Sequence, residues 1–285
     1  MTAGAATARP SSVLLASDVD GTFWSEGLTV ESLCAAWERR PSQVEVLFAS
    51  SRTVEELAHL DELLGASGDF IAENGAVVVT RDDDVAWHLR GARRERIGHG
   101  HAFVAVLGEG CGEARRVVRS ARARHRAPVQ LMEELEPATL RRLIGDDGEV
   151  QRAASRRASV LVHADAGDEA VVAWSATLRR AGYQVLSGGR WLAVWRGPGK
   201  GQALRRYLRA RTLAGRSPAV VAAIGDGEND ISLLQAAELR FAVPRPDGTV
   251  HPALSALADV SIAPEVGTAG WCRVVSTLGG LPCHS

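Results

Sequence analysis

Asp18 and Asp20 stand two residues apart at the end of a short apolar run and are followed by Gly21 and Thr22. Two carboxylates so placed can divide the work of phosphoryl transfer. The first attacks phosphorus to give an aspartyl phosphate, and the second protonates the leaving oxygen and later activates water. A second acidic set, Asp226 and Asp230 in Gly225-Asp226-Gly227-Glu228-Asn229-Asp230, closes another apolar run. Carboxylates gathered without a cation pay repulsion and desolvation. Mg²⁺ suits such a set, because it takes hard oxygen ligands, few protein carboxylates and a substrate phosphate oxygen. Such an ion also screens the attacking carboxylate and stabilises transition-state charge.

Lys200 is the only lysine among 33 Lys+Arg residues and lies in Gly197-Pro198-Gly199-Lys200-Gly201, a loop that opens a helix. In a chain so biased toward arginine, one compact ammonium points to a phosphate oxygen or a carboxylate that a planar guanidinium does not fit. Ser50-Ser51-Arg52-Thr53 ends a further apolar run just ahead of a helix. A hydroxyl and free amides there make an anion site, and the same residue types also serve as plain helix caps. Only the place of Ser50 among the strand tips favours a phosphate ligand.

These residues need strands to carry them. Apolar runs at Val13 to Ser17, Val44 to Ala49 and Ala219 to Ile224 read as buried strands, and Thr29 to Glu38, Thr53 to Leu64 and Gly201 to Arg211 as helices. Phe70 to Ala72 and Ala76 to Thr80 read as short strands around the turn Glu73-Asn74-Gly75. The alternation argues for a parallel α/β sheet, whose ligands collect beyond the carboxyl ends of its strands. From about Val85 the pattern changes. Strands at Ala102 to Leu107, Val160 to His163, Tyr183 to Leu186 and Trp191 to Trp195 mix with helices at Glu113 to Arg124, Pro137 to Ile144 and Glu169 to Arg180. The expected organisation is a disordered N-terminus over 1–11, a core over 12–85, an α/β cap over 86–188 and the returning core over 189–285.

The formal net charge is −1, so no global field draws the chain to nucleic acid or membrane. The stretch from Ala86 to Trp195 nevertheless carries 18 Arg against 12 Asp+Glu. A basic insert suits an anionic substrate, although an arginine-rich solvated helix face would look the same. No run is long and apolar enough for a membrane span, and no apolar segment of a signal peptide precedes the first strand. Cys34, Cys111, Cys272 and Cys283 form no CxxC pair, which speaks against a disulfide scaffold or zinc site and for a reducing cytoplasm.

With these four elements in order, the chain resembles the haloacid dehalogenase-like phosphatases. Asp18 and Asp20 match the first motif of that superfamily, Ser50 the second, Lys200 the third, and Asp226 with Asp230 the fourth. The resemblance implies a Rossmann-like parallel-sheet core with an inserted α/β cap of the C2 type, in the Cof-like branch. It also implies Mg²⁺ held by Asp18, the backbone carbonyl of Asp20, and Asp226. The candidate metal set is therefore Asp18, Asp20, Asp226 and Asp230. Asp18, Asp20 and Lys200 are the candidate catalytic residues, with Lys200 and Ser50 on the transferred phosphoryl group. Ser50, Ser51, Arg52, Asn74, Arg152, Ser155 and Asn229 are the candidate substrate-binding residues.

A narrower resemblance is to the mannosyl-3-phosphoglycerate phosphatases. It rests on Phe70-Ile71-Ala72-Glu73-Asn74-Gly75-Ala76, Gly189-Arg190-Trp191-Leu192, Arg245-Pro246-Asp247-Gly248 and Gly267 to Trp271. It implies release of phosphate from mannosyl- or glucosyl-3-phosphoglycerate, leaving a glycosylglycerate of the compatible-solute kind. A cap segment resembling R-x-x-S-E-P keeps Arg152 and Ser155, but the acid and proline are Arg156 and Arg157, and Gly199 stands where relatives often carry Asp. The implied partner is a small phosphorylated molecule, with neither nucleic acid nor membrane, and oligomeric state is not written in the sequence. Other readings are a phosphatase for another sugar or polyol phosphate, a phosphomutase, and a non-catalytic binding protein that would have no need of all four motifs.

Overall fold

The computed structural model describes residues 13–188 and 191–281. The expected disordered N-terminus, Gly189, Arg190, Cys283 and most of the C-terminal tail expected to fray lie outside the described residues. In chain order the strands are β1 (Val13–Ser17), β2 (Val44–Ala49), β3 (Phe70–Ala72), β4 (Val77–Thr80), β5 (Arg93–Ile97), β6 (Gly100–Val106), β7 (Gln130–Leu131), β8 (Ser159–His163), β9 (Gln184–Gly188), β10 (Trp191–Trp195), β11 (Val220–Gly225), β12 (Leu239–Ala242) and β13 (Val260–Ile262). The helices are α1 (Val30–Glu38), α2 (Val54–Leu63), α3 (Asp83–Trp87), α4 (Cys111–His125), α5 (Pro137–Leu143), α6 (Asp147–Ala154), α7 (Glu169–Arg180), α8 (Lys200–Leu213), α9 (Ile231–Leu234), α10 (Pro252–Ser255) and α11 (Gly267–Gly279). The fold is α/β, with a mostly parallel mixed core sheet and an inserted four-stranded antiparallel cap sheet.

The chain forms two compact units, residues up to Leu47 together with those from Arg216 onward, and Phe48–Gly215. In the first, β1 pairs parallel with β11, β11 with β12, and β12 with β13. Every residue of β1 is buried, which is why Val13 to Ser17 reads as an unbroken apolar run rather than an alternating one. Phe23 packs edge-on against Trp271 of α11, with ring centroids 4.8 Å apart.

In the second unit, the end of β2 pairs parallel with β3, while β3–β4, β4–β6 and β5–β6 are antiparallel. The sheet is therefore mixed rather than wholly parallel. Glu73–Gly75 joins β3 to β4 in one short turn, too short for the crossover that parallel strands need. The cap sheet runs β7-β8-β10-β9, and all its pairs are antiparallel. Val118, Val160, Val162, Trp174, Leu178 and Val194 fill its core.

The helices form where their ends can be satisfied. The Thr53 hydroxyl accepts from the Glu56 N–H at 3.1 Å while the Glu56 carboxylate accepts from the Thr53 N–H at 2.7 Å, a reciprocal cap that fixes the start of α2. No helix of the described residues is long and apolar enough to cross a membrane. Cys34, Cys111 and Cys272 are free thiols.

Candidate active site

The parallel pairing of β1 with β11 places Ser17 opposite Ile224, and the Asp18 N–H donates to the Ile224 carbonyl at 3.0 Å. Asp18 and Asp226 thus leave the same end of two neighbouring strands, and Asp230 follows in the short helical turn after β11. One carboxylate oxygen from each of Asp18, Asp226 and Asp230 lies within 4.8 Å of the other two. Asp18 and Asp230 are buried and Asp226 is half-buried. Three carboxylates this close, two of them out of water, repel one another strongly. An all-oxygen set of this kind is consistent with a hard divalent cation.

Each member is held from behind. The Asp226 and Gly227 N–H groups donate to Asp230 Oδ2 at 3.2 and 3.1 Å, and the Thr22 hydroxyl donates to Asp226 Oδ1 at 3.1 Å. The Trp271 indole donates to Ser17 Oγ at 3.0 Å, and Ser17 donates to the Asp18 carbonyl at 2.7 Å. Gly21 has φ +81°, and a Cβ there would lie 2.6 Å from Asp226 Oδ2, so only glycine fits between the two acidic motifs. Asp20 is exposed, and its carboxylate is not one of the three. That position suits a proton donor that must reach a leaving group. Asn229 is half-buried, and its Oδ1 lies 2.7 Å from where a Cβ on Gly227 would stand.

The second unit gathers Ser50, Asn74 and the start of α8. Ser50 is fully buried, its carbonyl accepts the Asn74 N–H at 2.9 Å, and its hydroxyl accepts the Arg52 N–H at 3.2 Å. Because Thr53 is the cap of α2, Ser50 is not consumed as one. Gly75, at φ +104°, packs so closely on the Gly199–Lys200 peptide that an added Cβ would lie 2.3 Å from the Gly199 carbonyl carbon. Lys200 is the first residue of α8, and only 1% of it is exposed. Lysine is almost never so buried without a partner. Asn74 is buried in the left-handed region at φ 57°, and its Oδ1 has no hydrogen-bond partner among the described residues.

The cap motif lies on α6 and the segment after it, an element the sequence pattern did not reveal. The Ser155 hydroxyl donates to Glu55 Oε2 at 2.7 Å. Arg156 donates to the Ser51 carbonyl at 3.1 Å and to Ser159 Oγ at 3.0 Å. Arg157 bridges Glu95 and Glu55 at 2.5 and 2.9 Å, and these two acids raise its pKa against the opposing effect of burial. Both arginines that replace the acid and the proline are thus tied into the second unit. The Arg152 guanidinium makes no hydrogen bond or ion pair among the described residues, and its carbonyl accepts from the Thr53 hydroxyl at 2.9 Å.

Much of the expected basic field is neutralised locally. Arg115 pairs with Glu133 at 2.9 Å, Arg119 with Glu134 at 2.9 Å, Arg116 with Glu113, and Arg122 with Glu134. The residue that sequence reasoning missed is Glu73. It is wholly buried, and its carboxylate accepts from the Arg157, Ala158 and Ser159 N–H groups. Nothing in a turn-like Glu-Asn-Gly signals a partner more than eighty residues away.

Residues 194–260, the stretch holding Lys200, Asp226 and Asp230, match the haloacid dehalogenase-like hydrolase family. That match supports a haloacid dehalogenase-like hydrolase. Three solved structures share the fold along nearly the whole chain. A phosphatase of the haloalkanoate superfamily from Bacteroides thetaiotaomicron has a TM-score of 0.62 at 19% identity, covering 95% of this chain and 96% of that one. A Thermoplasma acidophilum protein gives 0.63 at 15%, covering 94% and 98%. The sucrose-phosphatase of Synechocystis sp. PCC6803, solved with sucrose and phosphate, gives 0.59 at 12%, covering 95% and 98%. Identities this low speak for the fold. Fold, family match and carboxylate cluster together support a haloacid dehalogenase-like hydrolase with a divalent-metal site.

Proposed function

We propose that this chain is a Mg²⁺-dependent phosphomonoester hydrolase that works through an aspartyl phosphate on Asp18. The observation that carries the reading is the cluster of Asp18, Asp226 and Asp230 at the tips of paired parallel strands. Asp18 and Asp226, with Asp230 beside them and the Asp20 backbone carbonyl, would hold the ion, which when bound neutralises charge on the phosphate. An Asp18 oxygen attacks phosphorus while the ester P–O bond breaks. Asp20 gives its proton to the leaving oxygen. Water, deprotonated by Asp20, then attacks the phosphorus of the aspartyl phosphate and frees phosphate and Asp18. Lys200 and Ser50 are assigned to the phosphoryl end of the substrate, and Ser51, Arg52, Asn74 and Asn229 to substrate binding. The segment from α4 through β10 is assigned as the cap, rather than 86–188, because β5 and β6 belong to the core sheet and β10 to the cap sheet.

The substrate we favour is a glycosyl-3-phosphoglycerate, with mannosyl or glucosyl as the sugar. Its second anionic group, a carboxylate, is matched by Arg152, whose guanidinium is not engaged by another described residue. Ser155, bonded to Glu55, is placed beside it. A second reading, another sugar phosphate, is favoured by the likeness to a sucrose-phosphatase. The test is phosphate release from mannosyl- and glucosyl-3-phosphoglycerate beside a panel of sugar phosphates, with Mg²⁺ and with EDTA, and with Asp18→Asn as the blank. Release that needs Mg²⁺ and favours one glycosyl-phosphoglycerate supports the first reading. Release from other sugar phosphates alone leaves the second, and release from nothing removes both.

A further inference from the structure

Glu73, Asn74 and Gly75 have φ values of 50°, 57° and 104°, three left-handed residues in succession, of which only the last is glycine. Each non-glycine costs about 1–2 kcal/mol there, so something outside the turn must hold it. Glu73 is 0% exposed. Its Oε1 accepts the Arg157 N–H at 2.7 Å. Its Oε2 accepts the Ala158 N–H at 3.1 Å, the Ser159 N–H at 2.8 Å and the Ser159 hydroxyl at 2.6 Å. A buried carboxylate with four donors is a strong anchor, since bonds to an ionised acceptor are roughly twice as strong as neutral ones.

The other side of the same turn is fastened to the phosphoryl-binding residues. The Glu73 N–H donates to the Arg52 carbonyl and the Asn74 N–H to the Ser50 carbonyl, each at 2.9 Å, and Gly75 lies against the Gly199–Lys200 peptide. Ser159 opens β8 and pairs with Trp195, whose indole donates to the Pro198 carbonyl at 3.0 Å, two residues before Lys200. One side chain therefore links the segment carrying Arg152 and Ser155 to the backbone that carries Ser50, Asn74 and Lys200.

We propose that Glu73 is a positioning residue that fixes the reach between the phosphoryl-binding groups and the cap segment 152–159, and so selects phosphoesters by the distance between phosphate and distal anion. This rests on the phosphatase reading above. Glu73 touches no substrate; it acts through the backbone of Arg157, Ala158 and Ser159. Its neutral isostere keeps the shape but turns an amide N–H₂ toward groups that are already donors.

The experiment compares wild type, Glu73→Gln and Ser159→Ala on p-nitrophenyl phosphate, which is short, and on glucosyl-3-phosphoglycerate, which spans both ends. Amide hydrogen exchange at 157–159 is followed on the same samples. A misplacement near 1 Å costs about 10²-fold, so kcat/KM for the long substrate in Glu73→Gln should fall about 10²-fold further than for the short one. Exchange at 157–159 should accelerate. Ser159→Ala, which removes one donor, should shift both readouts the same way by less, and it carries the test if Glu73→Gln does not fold. Equal losses on the two substrates, or unchanged exchange, overturn the proposal. If wild type hydrolyses neither compound, the phosphatase reading fails and the selection role with it, while the exchange data still report separately whether Glu73 anchors the segment.

Discussion

Gly75→Ala puts a methyl group where the structure has no room. The new Cβ would lie 2.3 Å from the Gly199 carbonyl carbon, 2.5 Å from its oxygen and 2.6 Å from the Lys200 nitrogen. All three are backbone atoms, so no side chain can swing aside. Carbon atoms rest about 3.5–4.0 Å apart, and the peptide must retreat by roughly 1 Å or more. The φ of +104° adds strain of about 1–3 kcal/mol for an alanine, and overpacking adds about 1–3 kcal/mol. The expected loss is about 2–6 kcal/mol against a total stability of about 5–15 kcal/mol, so the variant should fold but melt early. Since the displaced peptide is that of Lys200, phosphate release should also fall by about 10²-fold. Gly65→Ala is the control, because Gly65 has φ +60° with nothing within 4 Å, leaving backbone strain alone. Urea unfolding and phosphate release on both variants decide the matter. A Gly75→Ala protein no less stable than Gly65→Ala, with a wild-type rate, would refute the claim that the turn and Lys200 are packed as one piece.

Gly21→Ala should push the Asp226 carboxylate aside, since the added Cβ would lie 2.6 Å from Oδ2. The Mg²⁺ concentration for half-maximal phosphate release should rise about 10–100-fold, the usual cost of disturbing a ligand's support, and a Mg²⁺ titration reads it. Asp61 on α2 is buried 3.8 Å from Arg81 and accepts the Gly68 N–H at 3.1 Å; burial above all raises its pKa from 3.8 to about 6. Between those values the folded state holds the proton more tightly than the unfolded one, so this group's contribution to stability falls as pH rises through that window, by roughly 3 kcal/mol in all. Asp61→Asn should flatten that decline, and urea unfolding on either side of the window measures it. An unchanged pH profile would show that Asp61 is ionised without penalty.

The local signals that carried the reading were of two kinds. Val13 to Ser17 and Val44 to Ala49 match β1 and β2 residue for residue and are apolar but for Ser17 and the half-buried Glu45, because strands buried on both faces leave little room for polar positions. Asp18, Asp226 and Lys200 were legible because strand tips and a lone lysine are local features. Arg93–Ile97 was missed because its strand is mostly exposed, so charge hides its period. Asp147–Ala154 was missed because it keeps a single buried residue, Ala153.

By itself, then, the sequence determined which candidate residues stand at the ends of which strands and at the start of which helix. Only the tertiary structure decided how each is held: that Asp20 stays outside the carboxylate cluster, that Thr53 rather than Ser50 caps α2, that Arg156 and Arg157 are spent on the second unit's own acids, hydroxyl and carbonyl groups, and that Glu73 binds three consecutive amides from 84 to 86 residues away. The reason is physical. Hydrophobic period and strand-end position are set by neighbours in the chain, whereas the partner of a charge is set by whichever donor or acceptor folding brings beside it.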